Sequence, residues 1–322
     1  MRRSLRGIVA AGAACVLFST PAVAQDTGTW STVGQTTTAR TEIGGVEING
    51  KVYVIGGGAL GRQDSPMAQE FDPATGRWRD LAAMPKGVAH VGVAALNGKV
   101  YVAGFTRNVH LDPLDQFVVY DPASNTWQTL APLSTRRGSV GLAAVDGKLH
   151  AIGGRTPDLK TVATHEVYDS ATNKWTPAAL LPTARDHLGT IVVDGKIHVF
   201  GGRLDDLVLD NVGLHDVYDP LTDKWQTVAP LPTKRSAGAA ALYHGLILYH
   251  GGECKNPTTR ATFDEFEAYD PKTDSWRTLT KGPTGLHAHV DVAVGNTVYF
   301  IGGNLGCGGD GPSSAIYTFR MP

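Results

Sequence analysis

Six tryptophans, Trp30, Trp78, Trp127, Trp175, Trp225 and Trp276, recur at intervals of 48, 49, 48, 50 and 51 residues. A period this regular confines the chain to a repeat architecture, in which one supersecondary unit is stacked on copies of itself. Other landmarks keep step with the tryptophans. Ten residues after each stand Arg40, Val88, Arg137, Arg185, Arg235 and Leu286, and sixteen after those stand Gly56, Gly104, Gly153, Gly201, Gly251 and Gly302. A second glycine follows in every copy but the second, where Phe105 stands. Next come Phe71-Asp72, Tyr120-Asp121, Tyr168-Asp169, Tyr218-Asp219, Tyr269-Asp270 and Tyr317-Thr318, and in the first five the tryptophan lies six residues past the aspartate.

Each copy reads as four short strands. Asn49-Gly50, Asn97-Gly98, Asp146-Gly147, Asp194-Gly195, His244-Gly245 and Gly295-Asn296 are pairs that tolerate the positive φ of a two-residue hairpin between strands one and two. The second strand runs to the glycine pair and the third to the Tyr-Asp. An Asp-Pro-x-Thr type turn follows, and the fourth strand begins at the tryptophan. No stretch carries a helical period, so the fold class is all-β. Six four-stranded antiparallel sheets are best buried face to face around an axis, as a six-bladed β-propeller over residues 25–322. Trp30 begins a strand with nothing before it, and the last copy stops after its third strand. The N-terminal strand is therefore expected to complete the last blade and close the ring, which removes two open edges.

At these residues the chain resembles the kelch repeat: Gly-Gly, Tyr-Asp-Pro and Trp at fixed offsets across nearly all of 30–322. Phe105, Ser170 in place of proline, and Thr318 after Tyr317 depart from the pattern. The resemblance implies a six-bladed kelch propeller.

Only the distance from the second glycine to the following Tyr or Phe varies, at 14, 15, 14, 16, 17 and 14 residues, so the variation sits on one rim. The same rim receives Arg40, Arg137, Arg185 and Arg235, with Arg155 and Arg203 directly after glycine pairs and Arg107 nearby. A ring of planar, permanent cations suits carboxylates or phosphates. In kelch adaptors that bind acidic peptides, arginines at both motif positions touch the ligand, and the resemblance implies the same here. The alternative is structural, with the arginines paired to acids on strand three such as Glu166, Asp216 or Glu267. Two residues past the arginine position stand Glu42, His90, Ser139, His187, Ala237 and Ala288. Glu42, His187 and Glu253 are the candidate acid–base groups beside the arginines. Otherwise this set is a polar lining to a water-filled channel. His150 and His198 replace tyrosines of other copies and read as interblade packing.

The first 24 residues carry Arg2, Arg3 and Arg6, an apolar run and Ala22-Val23-Ala24, the pattern of an export signal. A periplasmic or secreted protein is expected, with no stable membrane insertion. The formal charge of −1 gives no argument for nucleic acid. Cys254 and Cys307, the two cysteines of the remainder, fall in neighbouring rim loops and are a disulfide candidate. No cofactor is expected. No metal site is expected either, because His287, His289 and Asp291 on one strand are too few ligands.

The expected function is an exported binding module that presents a basic mouth to an anionic small molecule or an acidic protein segment. The alternative comes from the kelch propellers known as sialic acid mutarotases, or N-acetylneuraminate epimerases, which the chain resembles in export signal, blade count and basic mouth. That resemblance implies arginine clamps on a sugar acid and a Glu or His acid–base pair.

Overall fold

A computed structural model describes residues 28–59, 64–104, 106–107, 112–205, 210–309 and 311–322, and the proposed signal at 1–24 lies outside them. For Arg107 only the backbone is described. Among the described residues the regular elements are strands, arranged as six four-stranded antiparallel sheets and one two-stranded ribbon. Blade one is built from Gly44–Ile48, Lys51–Ile55, Ala68–Asp72 and Arg77–Asp80. Blades two to five repeat that order, beginning at Gly92–Leu96, Gly141–Val145, Gly189–Val193 and Ala239–Tyr243. Blade six takes Val290–Val294, Thr297–Ile301 and Ala315–Arg320, and its outer strand is Thr29–Gln35 from the other end of the chain. Thr29 pairs with Arg320 and Trp30 with Phe319, which is the ring closure expected from the sequence.

The period-50 landmarks hold neighbouring blades together. The indole N–H groups of Trp127, Trp175, Trp225 and Trp276 donate to Ala82, Ala131, Ala179 and Ala229, one blade earlier, at 2.7–2.9 Å. Trp30 makes the same bond to Thr280 across the closure, 2.9 Å. Asn125, Asn173, Asp223 and Asp274, two residues before those tryptophans, each accept the hydroxyl of their own blade's tyrosine and a backbone N–H from the previous blade. The motif aspartates Asp72, Asp121, Asp169, Asp219 and Asp270 instead cap their own turns, accepting an N–H two residues on. The second glycines donate to the next blade at its arginine position: Gly154 to Arg185 O, Gly202 to Arg235 O, and Gly303 to Arg40 O at the seam. Gly201 sits at φ +61°, where a Cβ would come within 2.6 Å of the Arg235 carbonyl, so no other residue fits.

The apolar side chains form six clusters, one in each gap between blades. Between blades three and four, for example, Ala143, Val145 and Ile152 meet Ile197, Val199 and Tyr218. His150 packs on Tyr218 and His198 on Tyr269, each in the following blade, as the repeat alignment predicts. The axis itself carries no apolar core and is left to a channel lined by the first strands.

Candidate functional site

Glu42, His90, Ser139, His187, Ala237 and Ala288 converge at one end of the channel, around a cavity of ≈ 200 Å³. All six hold φ between 51° and 56°. That left-handed turn aims each backbone N–H at the carbonyl of the preceding blade: His90 to Glu42, Ser139 to His90, His187 to Ser139, Ala237 to His187 and Ala288 to Ala237, at 2.7–3.3 Å. A nearly continuous hoop of backbone hydrogen bonds thus circles the axis and fixes the four polar side chains on its rim. Positive φ costs non-glycine residues about 1 kcal/mol or more each, and the hoop supplies the compensation.

The arginines expected to form a ligand-binding ring are placed elsewhere. Arg40, Arg137, Arg185 and Arg235 are sealed inside their own blades, at 0–2% exposure. Arg137 pairs with Glu166, Arg185 with Asp216 at 2.9 Å, and Arg235 with Glu267. Each also donates to carbonyls of its own second strand or the glycine after it, such as Ala151, Val199 and Tyr249. Arg40 binds Gln69 at 2.8 Å, and Gln69 in turn donates to Asp80. Burial pushes Arg40 down to about 10. The acid on strand three is the reason for the inward turn: a cation within reach of a buried carboxylate and two carbonyls is better satisfied there than at the rim.

Arg155 and Arg203 do reach the mouth, but as clasps. Asp186 accepts Arg155 Nε, Arg203 Nε at 3.1 Å and His187 Nδ1 at 2.9 Å. Arg203 also donates to Glu253 at 2.7 Å and to His187 Nε2 at 3.1 Å. Burial opposes the charge of Asp186, yet His187 and the two guanidinium groups hold its carboxyl well below the usual range. Glu253 is likewise raised by burial but carried down to about 2 by Arg203, His287 and His187. Glu253 is thus a fixed anion, unsuited to the acid–base role expected of it. His187, with both ring nitrogens engaged, is a wall of the site and not a base. Among the described residues, the two guanidinium groups at the mouth are matched by Asp186 and Glu253.

What faces the cavity is Glu42 beside His90. Their carboxylate and imidazole lie 3.4 Å apart, and both side chains keep 13% exposure. Burial raises Glu42, an effect only partly offset by His287, His187 and Arg203. Burial, with Arg203, lowers His90 to about 4. The pair is thus an imidazole held neutral next to a carboxyl whose ionisation burial opposes. Asp186, which orders the whole cluster, was not singled out from the sequence. Its signal was there: it fills the position held by Thr41, Ala89, Gly138, Ser236 and His287 in the other copies, and no other copy places a carboxylate there.

Cys254 and Cys307 meet at disulfide distance, their Cα atoms 4.8 Å apart, joining the rim loops of blades five and six. The bond sits beside the site, since Gly308 N donates to Glu253 Oε1 at 3.0 Å and His287 Nε2 donates to the Gly306 and Gly308 carbonyls. Closing a span of 53 residues is worth roughly 2–4 kcal/mol. Reduction, or replacement of both cysteines by alanine, is expected to lower the unfolding free energy by that amount. Chemical denaturation with and without reductant measures it, and an unchanged midpoint would show that the rim holds itself.

Comparison with known proteins agrees with the fold. A family model described as the KLHDC2/KLHL20/DRC7 Kelch-repeats domain matches residues 131–303, and the Kelch motif matches 39–85 and 88–134. No curated protein matches the chain. The solved structure titled "Structure of YjhT" superposes with a TM-score of 0.73 at 16% identity, covering 90% of this chain and 100% of that one. The matched repeats, the six blades and the closure across Thr29–Gln35 place this chain in the kelch-repeat family of β-propellers.

Proposed function

We propose that the channel mouth is an acid–base site for a reducing sugar or sugar acid, and that the reaction is mutarotation. The observation that carries this reading is the Glu42–His90 pair, 3.4 Å apart on the cavity wall, with Arg155 and Arg203 committed to internal partners. Groups whose ionisation is displaced by burial, in a concave site, are the usual mark of proton-transfer chemistry.

Neutral His90 takes the proton of the anomeric hydroxyl. Protonated Glu42 gives its proton to the ring oxygen as the anomeric C–O bond breaks, and the open-chain carbonyl forms. After rotation, the freed hydroxyl adds to the other face of the carbonyl. Its proton returns to Glu42, and His90 reprotonates the new anomeric oxygen, which restores both groups. Asp186, through His187 and Arg203, keeps the wall opposite them rigid. Export belongs to the same proposal: a disulfide-distance cysteine pair suits an oxidising compartment, in line with the leader read at 1–24.

The test is anomer exchange followed by NMR, across neutral aldoses and sugar acids. Glu42→Gln and His90→Gln are each expected to slow exchange by about 10²–10⁴-fold without loss of fold. Over the pH range in which the fold holds, the rate should fall with rising pH as Glu42 ionises above its ordinary range. No acceleration with any sugar, or full activity in Glu42→Gln, would remove the proposal. A thermal shift with acidic peptides but not with sugars would instead restore the binding-module reading.

A further inference from the structure

A second cluster lies in the wall of the same channel, outside the mouth. Asp291, on the first strand of blade six, has a side chain with no exposure, and its Oδ2 has no hydrogen-bond partner. His289, two residues earlier and on the same side of the chain, brings Nε2 to 3.1 Å from Asp291 Oδ1. The same Nε2 lies 3.2 Å from Nδ1 of His250, which ends the second strand of blade five. Both imidazoles are buried, and their remaining nitrogens, His289 Nδ1 and His250 Nε2, have no partner. Arg235, whose charge is felt at His250, is bound to Glu267.

Hydrogen bonding does not account for this arrangement. One imidazole nitrogen carries at most one in-plane proton, so His289 Nε2 cannot serve both neighbours. A buried carboxylate with one shared imidazole contact and a second oxygen without a partner is poorly compensated for its lost hydration. Three donor atoms converging on one point, all within 4.8 Å of one another, are instead what a metal ion organises. The separations of 3.1 and 3.2 Å lie close to the roughly 3.3 Å edge of a tetrahedron with bonds of about 2.0–2.1 Å. Two imidazoles and a carboxylate suit a borderline divalent ion, zinc above all, and not magnesium or calcium, which prefer oxygen. His289 and Asp291 lie on the strand that borders the channel cavity, with their side chains sealed from it.

We propose that His250, His289 and Asp291 bind one zinc-class divalent ion that locks blade six to blade five. The proposal is independent of the sugar reaction at the mouth.

Untagged protein, stripped with a chelator, reloaded with Zn²⁺ and desalted, is expected to retain one zinc per chain by elemental analysis. Zn²⁺, and not Mg²⁺, should raise its melting temperature. Asp291→Asn and His289→Gln should lose the bound zinc, while His90→Gln should keep it. Should the two variants fail to fold, Co²⁺ in the unaltered protein decides, through visible bands of a four-coordinate nitrogen–oxygen site. Absence of both retained zinc and cobalt bands would overturn the proposal and leave Asp291 a buried, protonated carboxyl. Zinc retained by Asp291→Asn but lost from His90→Gln would place the ion at the mouth and overturn it equally.

Discussion

Lowering the pH from 6.5 to 5 is expected to remove several kcal/mol of stability, a large part of what holds a domain of ordinary stability folded. The cause is five imidazoles that the fold keeps neutral. Burial pushes His90, His165 and His198 to about 4 and His150 and His215 to about 3. In the unfolded chain each protonates near 6.5. Their contribution is complete above 6.5 and is lost as the pH falls towards the folded values, because the unfolded state then binds more protons. At pH 5 each accounts for about 2 kcal/mol. Four of them form two pairs with a structural reason to stay neutral. His150 Nδ1 lies 2.9 Å from His165 Nε2, and His165 Nδ1 donates to Ala179 O. His198, His215 and Ala229 O repeat the arrangement in the next blade at 3.0 and 3.2 Å. A proton on the acceptor nitrogen abolishes the bond and places a charge between blades. Blade two shows an apolar solution at the same places, with Tyr101 stacked on Phe117 at 5.8 Å. The double variant His150→Tyr with His165→Phe should therefore lose about 3 kcal/mol less than the parent between pH 6.5 and 5. Denaturant melts across this range test both statements. A flat profile in the parent would show that the imidazoles protonate in the folded state.

Replacing Arg185 by alanine is expected to cost about 3–5 kcal/mol, and Arg137→Ala or Arg235→Ala a similar amount. Asp216 would be left buried at 2% exposure with its guanidinium gone, and the carbonyls of Thr183 and Val199 would lose a donor. Arg235→Ala also removes a cation held 4.4 Å over the Tyr249 ring. Because the cost comes mainly from the stranded carboxylate, Arg185→Met combined with Asp216→Leu should recover most of it. Urea unfolding of the two single variants and the double variant measures the coupling. A loss below about 1 kcal/mol in Arg185→Ala would show that the guanidinium is free to serve a ligand after all.

The repeat was legible in the sequence because its landmarks act within one blade or on the next. Gly201 admits the Arg235 carbonyl, Trp225 reaches Ala179, and Asp219 caps its own turn. Such short-range tasks fix residue type and spacing, and the same spacing identified Thr29–Gln35 as the closing strand. Glu42, His90 and His187 were also marked, as the large polar members of a position that is otherwise Ser or Ala. The fate of the charges was not legible. Whether Arg185 turns outward to a ligand or inward to Asp216 depends on the rotamer that a neighbouring strand's carboxylate and carbonyls stabilise, and spacing along the chain leaves both open. The same limit hid the convergence of Arg155, Arg203 and Glu253 around Asp186 and His187, and that of His250 with His289 and Asp291. Each joins side chains from separate blades. Their contact is decided by how closely the interblade cores draw adjacent sheets together, a property of the packed ring and not of any one repeat.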